Sequence, residues 1–132
     1  MPGEPIGFVH LEPVHLKMAH HRGSRFGITL RSDVTGKGYG TEAVRWLLRQ
    51  AFMRYNLHRV AGEVFAFNDR ALASYLKCGF QVEGRRRQAY WFEDQWVDEI
   101  QIGILEHEWR AQQSKEGAVD RRDAVGAGAD AS

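Results

Sequence analysis

Residues 34–43, Val-Thr-Gly-Lys-Gly-Tyr-Gly-Thr-Glu-Ala, set Gly36, Gly38 and Gly40 at alternate positions between a strand-like run, Phe26–Leu30, and a helical pattern. Glycine loses more conformational freedom on folding than any other residue, so three this close mark a backbone path that other residues follow poorly. A turn of bare N–H groups at the start of a helix suits phosphate, because the unpaired donors and the helix dipole both favour an anion. The turn therefore points to a phosphorylated cofactor.

The chain has 132 residues, enough for one small domain. Its 18 Lys and Arg nearly cancel its 17 Asp and Glu, which argues against a partner chosen by bulk charge such as nucleic acid. Cys78 is the single cysteine, so no internal disulfide can form and a reducing compartment is expected. No apolar run reaches membrane-spanning length, and the first residues do not form a secretory signal. These features point to the cytoplasm, with the nucleus left open, and to no membrane partner.

Periodicity supplies the elements. Pro5–Glu12 reads as a strand with Ile6, Phe8 and His10 on one face and Val9 and Leu11 on the other. Pro13–Gly23 is a polar, His-rich connection, and Ser24–Arg31 is a second strand. The spacing of Ala43, Val44, Leu47, Leu48, Ala51, Phe52 and Tyr55 predicts a helix over Gly38–Tyr55. Leu57–Phe67 is a third strand, Asn68 suits a helix N-cap, and Asn68–Lys77 carries a shorter apolar stripe ended by Gly79. Phe80–Phe92 and Trp96–Leu105 read as two strands joined by the turn Glu93-Asp94-Gln95. A single α/β domain over residues 1–112 results, a mixed twisted sheet with helices packed on it. Residues 113–132, dominated by Gly, Ala, Asp and Arg, cannot bury enough surface to offset their ordering entropy and are expected to form a disordered tail.

Two common phosphate motifs fit the turn badly. A nucleoside-triphosphate P-loop needs Gly-Lys followed by Ser or Thr, and here Gly38 follows Lys37. A dinucleotide fingerprint is closer, with Gly38-x-Gly40-x-x-Ala43 and an acid at Glu63, but that fold continues in parallel strand–helix units and this chain turns to a strand pair.

Taken together with the downstream segments of the chain, the turn resembles the acyl-CoA site of the GNAT superfamily of N-acetyltransferases. The resemblance rests on Gly36–Ala43, on Leu57-His58-Arg59-Val60, on Val64–Ala71, on Tyr75–Phe80, on Glu83-Gly84-Arg85 and on Trp96–Glu99, in consistent order over Pro5 to Arg110. The nearest branch is similar to ribosomal-protein N-terminal acetyltransferases and to small-molecule acetyltransferases such as those for spermidine or antibiotics. The resemblance implies an acyl-CoA N-acyltransferase fold, acetyl-CoA as cofactor, and acetyl transfer to a primary amine: a protein N-terminus, a polyamine or another small amine. It also implies roles. Backbone N–H groups of Thr35, Gly36, Lys37, Gly38, Tyr39, Gly40 and Thr41 would cradle the pyrophosphate, with charge added by Lys37. Ile28, Thr29 and Leu30 would lend strand-edge groups to the pantetheine arm where two parallel strands splay apart. Asn68 would lie beside that arm, and Tyr75 would protonate the departing thiolate.

Three departures from the family pattern qualify these roles. Thr35 stands where many members carry Arg or Gln. Arg25 stands where this branch often has Glu, so the base that takes the amine proton is open among Glu63, Glu12, His10 and a water chain. The strand, two helices and second strand that normally precede the one at Pro5 are missing, so the domain is expected to be an N-terminally truncated acetyltransferase fold. Its bare first strand would invite homodimerisation.

Structural readings stand beside these roles. Tyr75 lies on an apolar stripe that predicts burial, Asn68 caps a helix in either case, and Cys78 suits packing. Glu63 reads first as a solvated strand residue and only second as the base. The histidines fit no zinc spacing, so no metal is expected. Trp91 and Trp96 read as packing residues, in a region that the resemblance implies can border the acceptor. Two rival functions remain open: a CoA-binding pseudoenzyme or fragment, and a dinucleotide-binding module.

Overall fold

A computed structural model describes residues 5–31, 33 and 36–115. The elements run β1 (Gly7–Leu11), a 3-10 turn (Leu16–His21), β2 (Gly23–Leu30), α1 (Tyr39–Arg49) continued by a π turn (Gln50–Arg54), β3 (Arg59–Phe65), α2 (Asp69–Lys77), β4 (Gln81–Phe92) and β5 (Gln95–Leu105). A last helix, α3, occupies residues 106–115. The strands form one mixed sheet in the order β1-β2-β3-β5-β4, so β1 is an edge strand.

The sheet has one covered and one open face. Along β3, Val60, Gly62 and Val64 are buried while their alternate neighbours are half-buried, the period-2 signature of a strand with one core face. On the covered face these residues pack with Ile100, Ile102 and Ile104 of β5 and with Val44, Leu47, Leu48, Ala51 and Phe52 of the first helix. The apolar stripe of the Gly38–Tyr55 pattern thus does what its spacing predicts. The helix widens near its end, where Tyr55 N–H reaches back five residues to the Gln50 carbonyl at 3.0 Å.

Asn68 caps α2, its side chain accepting from Ala71 N–H at 3.2 Å, and Gly79 ends that helix at φ 106°, a conformation that favours glycine. The β4–β5 turn is shorter than expected. Gln95 already pairs with Phe92, leaving Glu93 and Asp94 alone in the loop, both at positive φ (47° and 64°), as a two-residue hairpin matching the strand twist requires.

Two further expectations change. The domain boundary at residue 112 falls inside α3, which continues through 113–115; the remaining tail, 116–132, lies outside the described residues. Trp91 and Trp96 contact each other at 5.0 Å between ring centroids, but both are mostly exposed rather than packed into the core.

Candidate functional site

Strands β2 and β3 run parallel but pair only at Gly23–Arg59, Ser24–Val60 and Arg25–Ala61. Beyond Arg25 they part. The ring of Phe26 lies over Gly62 so closely that a side chain at position 62 would meet it. Phe26 in turn packs edge-on against Tyr75 at 5.3 Å and against Phe80 at 5.2 Å. The aromatic wedge sits where the ladder stops, and the backbone edge of Gly27–Leu30 that faces β3 has no strand partner there.

The gap opens, on the covered side, into a cleft of about 950 Å³. Ile28 and Leu30 of β2, Gly36, Gly38, Gly40 and Thr41 of the turn and α1, and Asn68 and Tyr75 of the second helical unit all line it. Eight residues expected from the sequence to hold the cofactor or act beside it thus share one cavity. Lys37 and Tyr39 are exposed at its rim rather than lining it. Thr29 does not line the cleft; its side chain points to the open face with its β1 partner Phe8. Thr35 lies outside the described residues.

Gly36 and Gly38 both adopt left-handed backbone, φ 83° and 85°, so the glycines are a conformational requirement. Gly38 is the N-cap of α1 and, as a glycine, brings no side chain of its own to the first-turn N–H groups. A Cβ at Gly38 would meet nothing within 4 Å. The walls add groups the sequence pattern did not single out. Arg70 brings its guanidinium over Gly36 and lines the cleft, a cation beside a helix N-terminus that already favours an anion. The signal was available in its place two residues after the N-cap Asn68, on the turn of α2 that faces the glycines. Ser74 also lines the cleft, and its hydroxyl bonds Thr41 Oγ1 at 2.6 Å, tying α2 to α1.

Tyr75 is buried against Phe26 and Phe80 while still lining the cleft, so burial and access hold together. Burial, with a smaller contribution from Cys78, pushes its phenol pKa up, so it stays a proton donor at neutral pH. Cys78 is buried with its thiol 3.7 Å from the Thr41 carbonyl, in a packing position.

Glu63 occupies the opposite, open face. It forms an ion pair with Arg25 and accepts a hydrogen bond from Tyr90 at 3.0 Å. Tyr90 also approaches Glu99 Oε2 at 2.8 Å, and Arg86 lies 3.6 Å from the same oxygen. The structure therefore does not bring Glu63 and Tyr75 side by side. They flank the gap between β2 and β3 from its two sides. Of the other candidate bases, Glu12 lies 4.0 Å from Arg25 and the His10 ring sits over Gly27 on the open face.

Known proteins resemble this chain in sequence and fold. A family model described as the acetyltransferase (GNAT) domain matches residues 1–81. Spermidine N(1)-acetyltransferase of Escherichia coli K12 is 30% identical over 115 residues, 87% of this chain and 60% of that protein. A putative ribosomal N-acetyltransferase of Bacillus subtilis is 28% identical over 92 residues, 70% of this chain and 50% of that protein. The crystal structure of spermidine N-acetyltransferase from Vibrio cholerae in complex with CoA and spermine superposes with a TM-score of 0.73 at 27% identity, over 79% of this chain and 60% of that one. The chain thus spans about three-fifths of the length of the E. coli relative it matches. From the splayed strands, the glycine turn and these matches together, the chain belongs to the GNAT acetyltransferase family.

Proposed function

We propose that this protein transfers an acetyl group from acetyl-CoA to a primary amine, with a small polyamine as the favoured acceptor class. The observation that carries the reading is the parting of β2 from β3 beyond Arg25–Ala61, directly over a cleft walled by the left-handed glycines. The residues present fit the cofactor. The first-turn N–H groups of α1 and the Arg70 guanidinium suit its pyrophosphate, and the unpaired edge of Gly27–Leu30 suits the amides of its pantetheine arm. The glycines leave the phosphates room. Acetyl-CoA supplies the activated thioester; the chain holds it, excludes water around it, and moves two protons. Tyr75 gives one to the leaving sulfur, and Glu63 takes one from the amine. Backbone near Leu30 steadies the oxyanion. The polyamine preference draws on the E. coli and V. cholerae relatives named for spermidine and on the partly exposed Glu63 carboxylate, which lies on the face that no described helix covers.

A second reading, a CoA binder without turnover, draws on one observation: Arg25 is paired with Glu63 and competes for the carboxylate that would act as base. Calorimetric titration with acetyl-CoA and with NAD, alongside turnover assays with spermidine, spermine and an N-terminal peptide, separates the possibilities. Saturation by acetyl-CoA with acetylation of spermidine supports the first reading. Saturation without turnover supports the second, and saturation by NAD alone sinks both. The same material serves to measure assembly. One structure of the V. cholerae relative is dodecameric, and the β1 edge here, with Phe8 62% exposed, supports self-association, which light scattering on the purified chain measures.

A further inference from the structure

The open face carries a group of side chains that the cofactor cleft does not use. Glu63 of β3 and Glu99 of β5 both approach the hydroxyl of Tyr90, at 3.0 Å and 2.8 Å. Glu99 is 2% exposed, and its second oxygen, Oε1, has no hydrogen-bond partner among the described residues. An unsatisfied buried carboxylate oxygen is costly, so folding alone does not explain its place. The charged groups around the pair are Arg25 on β2, paired with Glu63; Arg86 on β4, 3.6 Å from Glu99 and 65% exposed; and Glu12, 4.0 Å from Arg25.

Tyr90 reaches this position through a bulge. Arg86 pairs with Glu99 and Tyr90 with Val97, so β4 spends two more residues than β5 between those pairs. Gln88 turns at φ 51°, and Asp98 pins the bulge by accepting from Gln88 N–H and Arg85 Nε, both at 2.7 Å. Bulges of this kind re-aim a side chain, here onto the two carboxylates.

Proton counting gives the group its meaning. A phenol has one proton to donate. With both carboxylates ionised, Tyr90 serves one and confronts the other lone pair to lone pair. One added proton resolves the conflict. If Glu63 carries it, Glu63 O–H donates to the Tyr90 oxygen and Tyr90 O–H donates to Glu99, so that every contact becomes a donor–acceptor pair.

We propose that Glu63, Tyr90 and Glu99 form a relay that takes up the proton an acceptor ammonium must lose before it attacks. The relay rests on the acetyltransferase reading, because it needs an amine nucleophile. In the step, an N–H bond of the ammonium breaks and an O–H bond forms on Glu63. As that proton moves to the Tyr90 oxygen, the phenol proton passes to Glu99 Oε2. The carboxylate pair goes from doubly to singly negative, and the amine keeps its electron pair, free to form the bond to the thioester carbonyl. The proton later returns along the same path and leaves to water from Glu63, the more exposed of the two carboxylates. Burial first, and then the bond to Glu99, push the Tyr90 phenol pKa up, so the tyrosine passes protons without resting as phenolate. Glu63 is the catalytic residue here, and Tyr90 and Glu99 are positioning residues.

The test uses the full chain with 13C-labelled glutamate, following the side-chain carboxyl signals of Glu63 and Glu99 by NMR as pH changes. Coupled titration is expected, each signal showing both steps, and Tyr90→Phe separates them into single-step curves. Independent one-step titration in the unsubstituted protein would overturn the relay. Kinetics with spermidine and acetyl-CoA give a second readout: Tyr90→Phe and Glu99→Gln each lower kcat/KM by about tenfold and move the acid limb of its pH profile, with acetyl-CoA affinity unchanged. An unmoved profile in both variants also overturns the relay. Coupled titration without any turnover counts instead against the acetyltransferase reading, whereas turnover with uncoupled titration sinks the relay alone.

Discussion

The ring of Phe26 fills the space a side chain on Gly62 would occupy: a Cβ at Gly62 would collide with Phe26 Cε1. That contact sits one residue past the last β2–β3 pair, Arg25–Ala61, and so places the wedge at the point where the strands separate. The glycine on β3 is therefore part of what opens the gap between β2 and β3, although it does not line the cleft.

Gly62→Ala tests this. Phe26 is buried against Tyr75 and Phe80, so its ring has little room to retreat. Overpacking of this kind costs about 1–3 kcal/mol, and urea denaturation is expected to show a loss of that size. A variant as stable as the parent would mean that the ring moves freely and is no wedge.

Tyr75→Phe separates the tyrosine's two roles. The phenyl ring keeps the contacts to Phe26 and Phe80, so fold and acetyl-CoA affinity should persist. Removing the hydroxyl removes the proposed proton donor, and kcat should fall at least about tenfold, the low side of what general acid catalysis contributes. Unchanged turnover with spermidine would take Tyr75 out of the mechanism and leave it as core.

Gly38→Val attacks the turn through its backbone. At φ 85° a β-branched side chain is strained by about 1–2 kcal/mol, and the open space before Gly38 is where phosphate would approach. Acetyl-CoA binding should be lost in calorimetry while circular dichroism shows a folded chain. Gly38→Asn, which tolerates this backbone region better, should bind more tightly than the valine variant. Full affinity in folded Gly38→Val would move the pyrophosphate site elsewhere.

The contrast between what the chain announces and what it hides has physical causes. The stripe from Val44 to Phe52, the alternation along β3 and the Asn68 cap are short-range patterns, and each element formed within a few residues of its expected bounds. Eight cleft residues were legible because glycine spacing and helix starts are local. Helix α3 was not, since Trp109, packed on Phe52 at 5.5 Å, is its single fully buried large side chain, set among Glu, His and Arg. Its one local cue was Glu108, which accepts from Leu105 N–H at 2.9 Å as half of a capping box. The Glu63–Tyr90–Glu99 group was hidden for a different reason: it depends on the register of β4 against β5 and on a bulge at Gln88, and neither leaves a periodic trace.

A last prediction concerns stability against pH. Glu83 sits in the bulge between Val82 and Gly84 and accepts from Arg59 Nη1 at 2.6 Å. The Arg59 hydrogen bond, more than its charge, holds the Glu83 carboxyl below its ordinary pKa. A carboxyl whose folded pKa is depressed binds its proton more readily when unfolded. The pair therefore stabilises the fold above the unfolded carboxylate pKa, and loses that contribution as pH falls through the folded one. Both side chains are more than a third exposed, so solvent screening limits the contribution to about 0.5 kcal/mol. Glu83→Gln should be less stable than the parent by about that amount near neutral pH, and the gap should close on acidification and narrow in high salt. Urea denaturation of both proteins at neutral and acid pH measures it; a gap that persists unchanged in acid would show that Glu83 acts by packing over Gly103 rather than by its charge.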